Sequence, residues 1–92
     1  MLAAMSITIK EFQQLIDEKY GRRDRQRGTS QTFLWFIEEV GELATALAGD
    51  DQANKQEEFG DVLAWLCTLA NINDVDLEKA VERYRHRDDG YK

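Results

Sequence analysis

Carboxylates arrive in two nearly matching phrases, Glu39-Val40-Gly41-Glu42-Leu43 and Glu58-Phe59-Gly60-Asp61-Val62, with Glu38 and Glu57 one residue ahead of each. On a helix, residues three apart share a face, so each phrase projects a pair of acids in one direction. Apolar neighbours flank both pairs, which sets that direction close to a core. Two carboxylates about 5–6 Å apart repel by roughly 3 kcal/mol at an effective dielectric of about 20, but by under about 1 kcal/mol in bulk water. On an open face such pairs mean little. Between packed helices they call for a cation or for raised pKa values. All-oxygen donors suit Mg²⁺ or Mn²⁺, and no His or Cys stands beside them to favour zinc. Mg²⁺ keeps waters and takes phosphate oxygens as further ligands, so the predicted substrate is phosphorylated.

Such a site needs two helices side by side. A first helix is predicted from Ile9 to Tyr20, opened by a capping box of Thr8 and Glu11 and stopped by Gly21. A basic loop, Arg22 to Gly28, leads to Thr29 or Ser30 as the cap of the second helix. Its apolar stripe is Phe33, Phe36, Ile37, Val40, Leu43, Ala44 and Leu47, and Gly49 closes it. Asp50 or Asp51 starts the third helix, whose broad apolar surface (Phe59, Val62, Leu63, Trp65, Leu66, Leu69, Ala70 and Ile72) marks it as central or shared with a second subunit. Asn71 to Asp76 connect to a last helix from Leu77 to Arg85, and the tail 87–92 reads as polar and frayed.

The short link between the second and third helices makes them antiparallel neighbours, so Glu39 and Glu42 face Glu58 and Asp61. Gly41 and Gly60 hold equivalent places in the two phrases, each costing about 1 kcal/mol relative to Ala, and are expected to mark close backbone approach. The fold class is therefore all-α, with four helices in one domain spanning 1–92 and a core from about 8 to 86. No proline interrupts the helices.

With 42% hydrophobic and 33% charged residues, the composition is that of a folded globular chain. A net charge of −6 argues against nucleic-acid or anionic-membrane binding, though metal-held acids still attract a polyphosphate. No apolar run reaches the roughly 18 residues of a membrane span, and no secretory signal is read at the start. The lone Cys67 suits a reducing cytoplasm and reads as a small buried hydrophobe. A four-helix chain this short has a thin core, so oligomerisation is expected.

The acid pattern, together with Arg23-Asp24, Arg27-Gly28, Thr32-Phe33-Leu34-Trp35, Asp61-Val62-Leu63-Ala64-Trp65, Leu69-Ala70-Asn71 and Asp76-Leu77-Glu78, resembles the MazG-like nucleoside triphosphate pyrophosphohydrolases over roughly residues 20–84. Many relatives of this branch continue into a cysteine-rich tail; here Arg85-His86-Arg87-Asp88-Asp89 stands instead. The resemblance implies a four-helix bundle completed by a second subunit, as a homodimer or dimer of dimers. It also implies Mg²⁺-dependent cleavage between the α and β phosphates of a nucleoside triphosphate, in a house-cleaning role. Glu39, Glu42, Glu58 and Asp61 match the family's metal ligands, and Glu38 the acid that handles the attacking water.

Arg23 and Arg27 are candidates to clamp the triphosphate, because guanidinium forks match phosphate oxygens. Trp35 and Trp65 stand one turn from Glu39 and Asp61 and are candidates to stack on the base, or to serve the core. Asn71 is a candidate for a sugar or phosphate contact or a helix cap, and Arg83 for a phosphate contact. Two other readings stay open: a phosphoribosyl-ATP pyrophosphohydrolase, and an inactive helical binding or regulatory module.

Overall fold

The computed structural model describes residues 6–86. Four helices follow one another: α1 (Ile9–Arg27), α2 (Thr29–Ala48), α3 (Gln52–Ile72) and α4 (Leu77–Glu82), the last tightening into a 3₁₀ turn over Arg83–Arg85. No strand occurs among the described residues, as an all-α chain requires. The start of the chain and the tail 87–92 lie outside them.

The capping box forms as expected. The Glu11 N–H donates to Thr8 Oγ1 at 3.0 Å, and the Thr8 N–H donates to Glu11 Oε1 at 2.8 Å. Gly21, however, does not end α1, and the predicted loop from Arg22 is two further turns of helix. Asp17 reaches across Gly21 to Arg25 at 2.7 Å, and any β-carbon at position 21 would collide with that bridge. The true stop is Gly28, whose φ of 85° and ψ of 170° fall in a region that side chains forbid. This one residue joins two long helices and serves as the N-cap of α2, so neither Thr29 nor Ser30 caps it. Thr32 instead donates its hydroxyl back to the Gly28 carbonyl at 2.7 Å.

Gly49 ends α2, and Asp51 caps α3 by accepting from the Asn54 N–H at 3.2 Å. α3 packs on α2 along one side and on α1 along the other, which makes it the central helix its broad apolar surface predicted. After α3 the chain turns through Asp74, at φ 57°, and Asp76 caps α4 by accepting from the Glu78 and Lys79 amides.

The core is thin. Among the described residues only Ile16, Ala46, Cys67 and Ala70 are buried apolar side chains, and Cys67 is fully enclosed as expected. Most of the stripe read on α2 does not face inward: Phe33, Ile37, Val40 and Leu47 are exposed, as are Phe59, Leu63 and Leu66 on α3. α2 meets α3 through Phe36 and Leu43 of that stripe, with Glu39 between them.

Candidate active site

The inner seam of α2 reads Thr32, Phe36, Glu39, Leu43 and Ala46, each buried or half-buried. Its alternating steps of four and three residues keep one side of a helix against a neighbour. Facing it, α3 contributes Glu58, Asp61, Trp65 and Thr68 on the same rhythm. Because the two helices run antiparallel, one turn back from Glu39 to Trp35 and one turn on from Asp61 to Trp65 lead the same way. The tryptophans meet there edge to face, with ring centroids 5.7 Å apart. Acids and indoles thus occupy neighbouring levels of one helix pair, about 6 Å apart along the axis.

At the acidic level the carboxylates act on one another. A hydrogen bond with Glu42 pushes the Glu39 carboxyl up to about 7, helped by burial and by the charges of Glu42, Asp61 and Glu58. Burial pushes Glu58 up, with the charges of Glu42, Asp61 and Glu57 adding to it. Sharing a proton is how crowded acids relieve repulsion without a cation. One Glu58 oxygen is buried with no hydrogen-bond partner, an acceptor left open to something outside the chain. Among the described residues no three acidic, His or Cys side chains converge tightly enough to enclose a cation by themselves. A hard cation that keeps its own waters does not need such closure, so these oxygens fit Mg²⁺ or Mn²⁺. Glu38 is exposed on α2, one turn before Glu42.

Gly41 and Gly60 do not explain the meeting of the acids. A β-carbon at either would face open space, so no backbone of this chain approaches them. The acids are brought together by the seam itself.

At the aromatic level the helices α1, α2 and α3 enclose a cavity of about 820 Å³, lined by Tyr20, Arg23, Asp24, Arg27, Trp35, Trp65 and Thr68 among others. Its organiser is Arg27. That guanidinium lies 4.7 Å from the Trp35 ring centre and 5.2 Å from that of Trp65. It donates to Asp24 Oδ1 at 2.6 Å and to Thr32 Oγ1 at 3.0 Å. With its side chain 13% exposed, Arg27 builds the wall of the cavity and is not a free clamp for phosphates.

Arg23, exposed and stacked 5.7 Å over Tyr20, keeps its guanidinium at the cavity rim. Asn71 is not brought to the cavity. Its carbonyl oxygen accepts from Gln13 Nε2 at 3.0 Å, and its amide nitrogen donates to the Gln13 carbonyl at 3.2 Å, which ties α3 to α1. Arg83 does not line the cavity either; it donates to the Tyr84 hydroxyl at 2.9 Å and stacks on that ring. Arg25 is no free loop cation, being held by Asp17 and by the Asn71 carbonyl. The residues that sequence reasoning passed over are Tyr20, Asp24, Thr32 and Thr68. Asp24 and Thr32 carried a signal, as parts of the Arg23-Asp24 and Thr32-Phe33-Leu34-Trp35 motifs; Tyr20 and Thr68 carried none.

The described residues thus define an all-α protein whose central helix pair sets coupled carboxylates beside an aromatic cavity. The sequence model of the MazG nucleotide pyrophosphohydrolase domain matches residues 27–89, and the chain belongs to that family. It is also 32% identical over 91 residues to the uncharacterized protein YpjD of Bacillus subtilis (strain 168), covering 87% of this chain and 82% of that protein. The kind of activity this family supports is nucleotide pyrophosphohydrolysis, with a nucleotide as substrate.

Proposed function

We propose that the chain hydrolyses a nucleoside triphosphate at the α–β anhydride in a divalent-cation-dependent reaction, giving the monophosphate and pyrophosphate. The observation that carries this reading is the placement of mutually perturbed carboxylates one helical turn from an aromatic cavity. A phosphate chain at the acids and a base among the rings lie within one nucleotide's reach.

In this reading Glu39, Glu42, Glu58 and Asp61 supply oxygens to Mg²⁺ or Mn²⁺. When bound, the cation neutralises phosphate charge and lowers the pKa of a coordinated water. Glu38, exposed beside this group, accepts a hydrogen bond from the attacking water and so orients it. As the water oxygen bonds to phosphorus its proton passes to Glu38, the bond from that phosphorus to the bridging oxygen breaks, and the products leave as two anions. Arg23 at the rim offers a guanidinium to phosphate oxygens. Removal of modified or surplus nucleotides is the role that follows.

The working unit in this proposal is a homodimer or a dimer of dimers. A second apolar seam, Phe33, Ile37, Val40 and Leu47 on α2 with Phe59, Leu63 and Leu66 on α3, is exposed in the single chain. A second copy laid along this face completes a four-helix bundle.

The test is pyrophosphate release with Mg²⁺ or Mn²⁺ across common and modified nucleoside triphosphates, with Glu42→Ala and Asp61→Ala as controls. Release that both substitutions abolish is the expected result. A uniformly negative screen overturns the enzyme reading.

A further inference from the structure

Asp24 is the most conspicuous polar group in the cavity wall. The residue is 4% exposed, one of its oxygens is held by Arg27 at 2.6 Å, and the other is buried with no hydrogen-bond partner. A buried carboxylate oxygen left without a partner is costly unless a ligand donates to it. Its neighbours across the cavity, Tyr20, Trp35 and Trp65, are flat aromatic surfaces, which suit a planar ring.

Resting on the reading that the ligand is a nucleotide, we infer that Asp24 is a specificity-determining residue, whose free oxygen accepts a hydrogen bond from the exocyclic amino group of the base. A carboxylate accepts and does not donate. Cytosine and adenine present an amino group where uracil and hypoxanthine present a carbonyl. A carbonyl turned toward Asp24 sets two acceptors against each other and leaves both unpaired. The ring N–H of uracil is a poor substitute donor, because carbonyls flank it on both sides and one is drawn toward the same carboxylate. Hypoxanthine has a single carbonyl beside its ring N–H, which makes CTP against UTP the sharper pair. Arg27 fixes the orientation, since its bond to Oδ1 leaves Oδ2 as the acceptor still open.

The experiment compares kcat/KM for CTP against UTP and for ATP against ITP, pairs that differ in the amino-to-carbonyl exchange. The amino member of at least one pair should be favoured by about 100-fold, because a buried partner is otherwise left unpaired. In Asp24→Asn the preference should be lost or inverted, because Arg27 donates to the amide oxygen and leaves the NH₂ group facing the base, where it suits a carbonyl. Ratios near one in both pairs overturn the inference, as does a ratio unchanged in a folded Asp24→Asn protein. Calorimetric binding of CMP against UMP and AMP against IMP to the unaltered protein in EDTA needs neither a variant nor turnover. Tighter binding of an amino member supports the assignment; equal or absent binding overturns it. If no triphosphate is hydrolysed, the enzyme reading fails while this binding comparison still decides the role of Asp24.

Discussion

The two levels of the α2–α3 pair solve opposite problems with the same helices. At the aromatic level α1 lies over the pair, and a single arginine holds one oxygen of Asp24, the Thr32 hydroxyl and one face of each indole at once. At the acidic level nothing in the chain plays that part. The carboxylates relieve one another only by sharing a proton and leave one Glu58 oxygen unpartnered. The buried residues of α3, Cys67, Thr68, Ala70 and Asn71, all lie toward its aromatic end. One level is tied together by the chain itself save for one Asp24 oxygen, and the other is left with crowded acids, to which the proposed reaction brings a cation and a phosphate chain. Stability and chemistry are therefore separable along one helix pair.

The sharpest way to break this division is Arg27→Ala. Removing one partner of a buried ion pair strands the other, at a cost of about 3–5 kcal/mol. Thermal or urea unfolding should record the loss, and a Tm close to that of the unaltered protein would show that Arg27 does not hold the aromatic level together.

Glu42→Ala should do the reverse. Pyrophosphate release should fall by about 100-fold or more, through lost charge stabilisation at the phosphates. Circular dichroism and the metal-free melting temperature should hold or improve, because a source of repulsion has gone. A collapse of the fold would mean that the acids are structural.

The pH dependence of the metal-free protein sharpens the comparison further. Glu39 sits at about 7 in the folded chain against an ordinary 4.5. Between those values the folded chain holds more protons than the unfolded one, so stability falls as pH rises through that window. Calorimetry in EDTA should show Tm declining from pH 5 to pH 8, and millimolar Mg²⁺ should flatten the decline. An opposite slope, or indifference to Mg²⁺, would remove the acids as a coupled cation site.

The smallest effect comes from two glycines. In the isolated chain Gly41→Ala should stabilise by about 1 kcal/mol, since helix propensity improves and the new methyl meets open space. Gly21→Ala should destabilise, because the methyl displaces the Asp17–Arg25 bridge. If both move the same way in chemical denaturation, the contrast between the covered and uncovered faces is misdrawn.

Much of this was legible beforehand. The doubled acid phrase, the helix count, the capping box at Thr8 and the centrality of α3 all follow from spacing and side-chain chemistry. The extent of α1 was not, because Gly21 reads as a stop when only propensity is weighed. The helix continues through Gly21 because that residue and Asp24 are buried against the other helices, with the exposed Asp17–Arg25 ion pair bridging over the glycine. Of the α2 stripe, Phe36 and Leu43 turn to α3 while Phe33, Ile37, Val40 and Leu47 are exposed, since a helix with two apolar seams does not announce which one its own chain covers. The inner seam was hidden because its middle member is Glu39, a residue that hydrophobic periodicity discards. Asn71 and Arg83 were considered for substrate contacts through motif and charge, whereas their partners, Gln13 and Tyr84, are set by packing that no local spacing encodes.

Gln13 has a consequence for the order in which the chain comes apart. Its side chain donates to Asn71 and to the Val75 carbonyl and accepts from the Leu77 amide, contacts that reach 58, 62 and 64 residues along the sequence. The α2–α3 hairpin, by contrast, closes through a three-residue link and can form early on its own. In hydrogen exchange the Leu77 amide should thus open together with α1 as one cooperative unit, while the centre of α3 outlasts both. A single glutamine makes the two ends of the fold keep the same clock.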